Sequence, residues 1–421
     1  MARKMKDSGI EWIGEIPEGW ETCLYKYCCS VQPGYPFDSA KFSNSSTDGF
    51  PLIRIRDITS GEIQTYYTGE YPPNYIVTAG DLLVGMDGDF NVRWWNNDAA
   101  LLNQRCCRVT EKDSVLRRFL YYVLPFTLQR INTLTYATTV KHLANGDILN
   151  SFIAFPSLPA QQNIVHYLDT VCSEIDAILS KTRSSIEEYK KLKQAVITQA
   201  VTKGVRGERE MKDSGVEWIG EIPKEWVCEK IKYATSISRG LFNHRPRNDE
   251  RYYNGKYPFI QTGDVANATK YIVSYSQTLN ELGKSVSKEF PKGTLTMTIA
   301  ANVGDVAILN FDAYFPDSVV GFIPNKNIRT LYLFYVFSAM KDEFTRTAIK
   351  STQLNLNIDR VKETFIPVTL NVNEQCEIEN YLESKCAEID GLIAKKEQLV
   401  KELESYKKSL IYEVVTGKRE V

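Results

Sequence analysis

Histidine is scarce in this chain: its 421 residues include three, His142, His166 and His244. A Ser/His/Asp or Cys/His nucleophilic triad therefore has no support in the sequence. His166 falls in a long helical segment and His142 in an expected helix, so both read as structural. Long apolar runs are also missing. Nothing approaches the roughly 18 apolar residues of a membrane span, and the opening MARKMKDSG lacks a signal peptide's apolar stretch, so a cytoplasmic protein with no membrane contact is expected. Nine cysteines are present, but none has C-x2-C spacing and two pairs are vicinal, Cys28-Cys29 and Cys106-Cys107. Reduced, mostly buried thiols are expected rather than a metal site. The formal net charge of −1 argues against a non-specific polyanion coat, though not against a local basic face.

Cofactor loops are missing too. Gly283-Lys284-Ser285 ends like a phosphate-binding loop, but the glycine needed five residues earlier is Thr278. Tyr71-Pro72-Pro73-Asn74-Tyr75 holds the letters of an amino-methyltransferase motif in the wrong order, with no glycine-rich loop beside it. The chain reads as non-catalytic, with no cofactor of its own.

What is present is present twice. Residues 5–20, MKDSGIEWIGEIPEGW, return at 211–226 as MKDSGVEWIGEIPKEW, with 13 of 16 positions identical at an offset of 211 − 5 = 206. That period is too long for a solenoid unit of roughly 20–50 residues and fits a duplicated domain. A second echo at 214 relates Glu174-Ile175-Asp176 to Glu388-Ile389-Asp390 and Val201-Thr202 to Val415-Thr416. Residues 415–420 followed by 3–8 nearly reproduce 201–214, so the pattern closes on itself with pseudo-twofold symmetry. The domains read as 1–155, 156–205, 206–368 and 369–421.

The segments 156–205 and 369–421 carry a ladder at alternating steps of four and three. In the first it runs Ile164, Leu168, Val171, Ile175, Ile178, Thr182, Ser185, Tyr189, Leu192, Val196; in the second, Ile378, Leu382, Lys385, Ile389, Leu392, Lys396, Leu399, Leu403, Tyr406, Leu410. A 3.5-residue period over about five heptads is the coiled-coil signature. Pro159 and Asn373-Glu374 supply start signals, and Gly204 and Gly417 the stops. Forty residues make a rod of roughly 60 Å, and antiparallel pairing of the two rods is the simplest geometry. Thr182 and Lys396 break the apolar seam at equivalent points; either they fix register or the seam opens there.

Residues 21–155 and 227–368 are rich in Tyr, Phe, Val, Ile and Thr, in short runs broken by Gly, Pro, Asn and Asp, the pattern of mixed β structure. Shared landmarks align them: Pro51-Leu52-Ile53 with Pro258-Phe259-Ile260, Gly80-Asp81-Leu82 with Gly293-Thr294-Leu295, and Phe152-Ile153 with Phe365-Ile366. The framework is kept and the loops differ, which suggests two ligands or two stretches of one. Lys plus Arg less Asp plus Glu gives 12 − 13 = −1 for 21–155 and 18 − 13 = +5 for 227–368. The densest basic stretch, 238–257, interleaves arginines with Phe242, Tyr252, Tyr253 and Tyr257. It suits phosphate, base-edge or stacking contacts, or else is a solvated loop.

The doubled Trp-Ile-Gly-Glu-Ile-Pro segments at 12–17 and 218–223, each followed by a variable domain and a long helix opening at Gln161-Gln162 or Glu374-Gln375, resemble the specificity subunit of type I restriction-modification systems over the whole chain. The first rod opens with Ala160 where that family commonly shows Glu. The resemblance implies an α+β fold: two strand-rich α/β target recognition domains separated by two long antiparallel coiled-coil helices. It implies that each domain reads half of a bipartite, asymmetric site on double-stranded DNA, while the rods act as ruler and as docking sites for two methyltransferase subunits. S-adenosylmethionine would belong to those partners, and ATP and Mg to a restriction/translocase subunit. The DNA-facing candidates are Gln32, Lys41, Asp87, Asp89, Asn91, Arg93, Trp94 and Lys141 in the first domain. In the second they are Arg239, Asn243, Arg245, Arg247, Arg251, Asn302, Lys350 and Gln353, because Arg or Lys suits guanine and Asn or Gln adenine. The alternative is a non-catalytic coiled-coil scaffold whose two β-rich domains bind proteins or glycans.

Overall fold

The computed structural model describes residues 3–134, 141–347, 349–350 and 354–421, with the backbone alone at 347, 349, 350, 354 and 355. The chain divides into two compact units, Met1–Thr182 with Gln398–Val421, and Arg183–Glu397. Each unit takes one half of each long helix, Leu158–Lys203 and Val372–Val415.

Unit one opens with the repeat as a hairpin in which Met5–Asp7 pairs antiparallel with Glu15–Pro17. Its polar letters build the turn. Asp7 accepts from the Gly9 amide at 3.0 Å and Ser8 Oγ from the Ile10 amide at 3.0 Å, while Gly9 and Gly14 take positive φ, where a side chain is strained. Its apolar letters enter the core: Ile13, Ile16 and Trp20 pack with Tyr25, Phe119, Leu168 and Leu410. The strand-rich domain adds a four-stranded sheet, in the order Val92–Trp94, Leu82–Gly85, Cys106–Glu111, Cys29–Pro33, and a five-stranded one centred on Phe50–Ile53. The strand pair Glu21–Leu24 and Phe152–Phe155 closes the domain.

Unit two repeats this plan. Asp213 and Ser214 make the same turn bonds, and Ile219, Ile222 and Trp226 enter the second core. The main sheet runs Thr235–Arg239, Val319–Pro324, Leu295–Thr298, Val306–Leu309, Tyr271–Ile272, and Val227–Lys230 pairs with Phe365–Val368.

Within each unit the rods run antiparallel. In unit one Lys407 bonds Asp176 at 2.6 Å, and in unit two Lys193 bonds Asp390 at 2.7 Å. These pairs are counterparts at the 214 offset. Each rod is also clamped to its domain by a buried glutamine. Gln161 accepts from the Leu116 amide and donates to the carbonyls of Ser114 and Pro156; Gln375 accepts from Arg329 and donates to Asn327 and Thr369. The second rod is capped by Asn371, which accepts from the amides of Asn373 and Glu374.

The seam departs from the expected ladder at every second step. Ile164, Leu168, Ile175, Ile378, Leu382, Ile389 and Leu410 are buried, and Tyr189, Val196, Leu392 and Leu403 half-buried. Ile178, Leu192, Leu399 and Tyr406 are 41–50% exposed, and the buried positions are Cys172, Leu179, Ile186 and Cys386. The heptad stands, but its shorter and longer steps are exchanged, because adjacent helix residues point about 100° apart and the packed surface selects one of them. The polar seam positions are satisfied locally: Thr182 donates to the Ile178 carbonyl at 2.8 Å, and the Lys396 ammonium lies 5.6 Å from the Tyr189 ring centre. His142, expected in a helix, instead forms an isolated antiparallel bridge with Asp87. All nine cysteines are free thiols, six of them buried. Among the described residues no helix is long and apolar enough to cross a membrane.

Candidate nucleic-acid interface

In both strand-rich domains the chain leaves the main sheet at a glycine that nothing larger can replace. A Cβ on Gly34 would lie 2.1 Å from the Asn103 carbonyl oxygen, and one on Gly240 2.2 Å from that of Pro316. These positions differ by 240 − 34 = 206. The close backbone approach fixes where each divergent loop begins.

In the first domain the candidate residues divide between internal and solvent-facing roles. Gln32, on the strand before Gly34, donates to the Asn74 carbonyl and accepts from Arg108, which also reaches the Ile76 carbonyl at 3.0 Å and Asp81 at 3.4 Å. Arg93 folds back onto the carbonyls of Ile58 and Thr59, and the Arg118 guanidinium lies over Trp94 at 4.6 Å. Asp87 binds His142 Nδ1 at 2.7 Å, with Arg105 at 3.6 Å, and Lys141 donates to Asn132. The bridge at 87 and 142 thus brings Asp87 and Lys141 together. Between them the turn 87–91 is pinned by buried Phe90 and exposes Asp89 and Asn91; Lys41 is exposed on its own short helical turn.

The second domain is organised by a carboxylate that sequence reasoning passed over. Asp317 receives Arg247, with Arg245 at 3.6 Å, and the Asp317 carbonyl accepts from Arg239. Two guanidinium groups thus meet one carboxylate and a third binds the carbonyl of the same residue, leaving an excess of positive charge. Arg245 also donates to the carbonyls of Phe242 and His244 at 2.7 and 2.8 Å, so the loop holds its arginines rather than trailing them in solvent. Arg251 pairs with Asp249, whose carboxyl is held well below the usual range, chiefly by that guanidinium. The aromatic residues of this loop are not a uniformly exposed stacking platform. Phe242 and Tyr253 are buried with Phe259 and Leu279 in a core of their own; Tyr252 packs against it and stacks on His244 at 4.0 Å. Asn243 and Asn302 are exposed. Lys350 lies on the strand Ile349–Lys350, and Gln353 is outside the described residues.

Two of the three missed residues had a signal. Gly34 and Gly240 share the repeat offset, whereas Asp317, 70 residues beyond Arg247, had no such signal. Among the described residues no cluster of His, Cys, Asp and Glu could hold a metal ion.

Residues 17–188 and 237–402 match the profile of the type I restriction modification DNA specificity domain, once in each copy. The chain belongs to that family. It is 28% identical over 413 residues to the type I restriction enzyme EcoBI specificity subunit of Escherichia coli, spanning 93% of this chain and 84% of that one. It is 23% identical over 425 residues to the MjaVIII specificity subunit of Methanocaldococcus jannaschii, spanning 96% and 93%. A solved structure from work on complex assembly and conformational transition of the type I R-M system aligns with a TM-score of 0.72, covering 96% of this chain and 99% of that one; at 16% identity this shows a shared fold. For a type I specificity subunit, the rods and glutamine clamps are kept between the copies while the loops beside them differ.

Proposed function

We propose that this chain is the non-catalytic DNA-recognition subunit of a type I restriction-modification complex. Each recognition domain reads one half of a bipartite, asymmetric site in double-stranded DNA, and the paired rods set the spacer. The observation that carries this reading is the contrast between copies: identical hairpin turns, glutamine clamps and rod ion pairs support loops of different charge and shape. Side chains distinguish all four base pairs only in the major groove, and half-sites one helical turn apart, roughly 34 Å, share a face of the duplex.

Two methyltransferase subunits, bringing S-adenosylmethionine, would dock on the rods. A restriction/translocase subunit using ATP and Mg would join for cleavage in the cytoplasm. Arg239, Arg245 and Arg247 would supply phosphate or guanine contacts in domain two, and Lys41, Asp89 and Asn91 the exposed contacts in domain one. Single-molecule sequencing of DNA from cells carrying the complex tests this. The expected result is a split methylated motif that vanishes when this chain is deleted; a motif that persists without the chain would refute the reading.

A further inference from the structure

The duplicated framework is filled differently at one place. In unit one the Tyr412 ring lies 5.5 Å from Phe126 and 6.3 Å from Trp12, and its hydroxyl donates to the Trp12 carbonyl at 2.9 Å. The counterparts in unit two are Thr198 (412 − 214), Ala339 (126 + 213) and Trp218 (12 + 206). The 213 offset is set by the packing itself, since the amides of Leu116 and Arg329 bond the two clamp glutamines and the hydroxyls of Tyr122 and Tyr335 bond Asp169 and Glu383. Two of three rings are therefore missing from unit two. A groove of about 580 Å³ runs there along the last turns of the first rod, lined by Lys191, Thr198, Gln199, Lys203 and Ile219 among others. Trp218, next to Ile219, has its indole N–H buried without an acceptor among the described residues.

The charge of this face also differs between copies. Lys191, Gln199 and Lys203 correspond to Ser405, Glu413 and Gly417, and Gln194, also on the groove wall, to Lys408. The groove side chains of unit two sum to +2, and their counterparts in unit one to +1 − 1 = 0. Lys191 and Lys203 stand 203 − 191 = 12 residues apart, or roughly 18 Å along the helix, about the length of a three-turn helical segment.

We propose that this groove docks an acidic protein segment presenting one aromatic side chain. The ring takes the place that Tyr412 fills in unit one, where apolar contact and ring packing are already satisfied within the chain. Carboxylates of the segment meet Lys191 and Lys203. In unit one Tyr412 already fills the place, with the Lys418 ammonium over its ring at 5.0 Å, so the segment binds once per chain and breaks the equivalence of the two units. This does not depend on the DNA-reading role.

The test is a displayed library of 16-residue peptides panned on the full chain without DNA, the selected peptides then being titrated by fluorescence anisotropy. Acidic sequences with a single Tyr, Phe or Trp are expected, saturating at one per chain. Thr198→Tyr, which restores the unit-one ring, should weaken them roughly tenfold or more. Lys191→Glu with Lys203→Glu, both on the surface, should do so as well and covers the case in which Thr198→Tyr fails to fold. No selection of such sequences, binding unchanged in the charge-reversed variant, or displacement by a short DNA duplex would overturn the proposal, the last assigning the face to nucleic acid.

Discussion

At the head of each rod a buried glutamine bonds the same three backbone groups, yet one residue earlier the copies part. In unit two Glu374 is buried, bonds Arg209 at 2.6 Å, and accepts from the Trp226 indole at 3.1 Å and from Thr369 at 2.9 Å. In unit one the counterpart is Ala160, and Arg3, the counterpart of Arg209, is exposed. A second site shows substitution rather than loss. Tyr122 and Arg118 both bond Asp169 in unit one; in unit two Tyr335 bonds Glu383, and the cation is Lys270, from a different part of the chain. A duplicated scaffold keeps the bonds that hold rod to domain and lets their charges come from wherever the packing supplies them.

Removing Glu374 breaks this comparison most directly. Glu374→Ala leaves Arg209 and the Trp226 N–H without their partner and should cost about 3–5 kcal/mol in denaturant unfolding of unit two, whereas unit one already carries alanine there. Burial raises the Glu374 carboxyl, but hydrogen bonds from Arg209, Thr369 and Trp226 outweigh it and hold it below its ordinary 4.5. Its stabilisation is therefore complete above that value and lost as pH falls through the lower folded value. Stability measured from pH 5 downward should fall less steeply in Glu374→Ala than in the parent chain; equal slopes would remove the carboxylate from the account.

The glycine pair should answer alike in both copies. Gly34→Ala and Gly240→Ala each force a Cβ against a backbone carbonyl and should cost at least about 1–3 kcal/mol, read as a fall in melting temperature. A harmless change in one copy would mean that its loop is not fixed in the same way. Arg245→Ala with Arg247→Ala tests the side of the comparison where the loops diverge. DNA affinity of the assembled methyltransferase should drop by about 1–3 kcal/mol per lost base contact, or less if the contacts are to phosphate, with the fold intact by circular dichroism. Unchanged affinity would remove this loop from the interface.

Exchange of the rod ion pairs should be nearly silent and equal in the two units. Asp176→Lys and Asp390→Lys should each cost no more than about 1 kcal/mol, because the pairs are partly exposed, and Lys407→Asp or Lys193→Asp should restore it. Smallest of all, burial pushes the thiols of Cys23, Cys29 and Cys107 up to about 12, so at pH 8 they should resist alkylation until the chain unfolds.

Much of the scaffold was legible because it was written twice. Residues 5–20 return at 211–226, and that return marks a second domain of the same kind. The loops were less legible. Arg245 and Arg247 stand out by charge, but their common partner Asp317 lies 70 residues beyond Arg247, a distance that no local pattern spans. Gln32 and Arg93 have the chemistry of base readers, and the groups that hold them, Arg108 and the carbonyls of Ile58 and Thr59, are brought near only by the fold.

The sequence by itself determined the duplication and the two rods with their ends, since these rest on a direct repeat of residues and on a heptad period that any helix must honour. Only the tertiary structure decided whether Ile178 or Leu179, Leu399 or Val400, entered the seam, and which of two aligned aromatic sites was filled. Neighbouring helix residues satisfy the same periodicity within one step, and the surface they meet makes the choice.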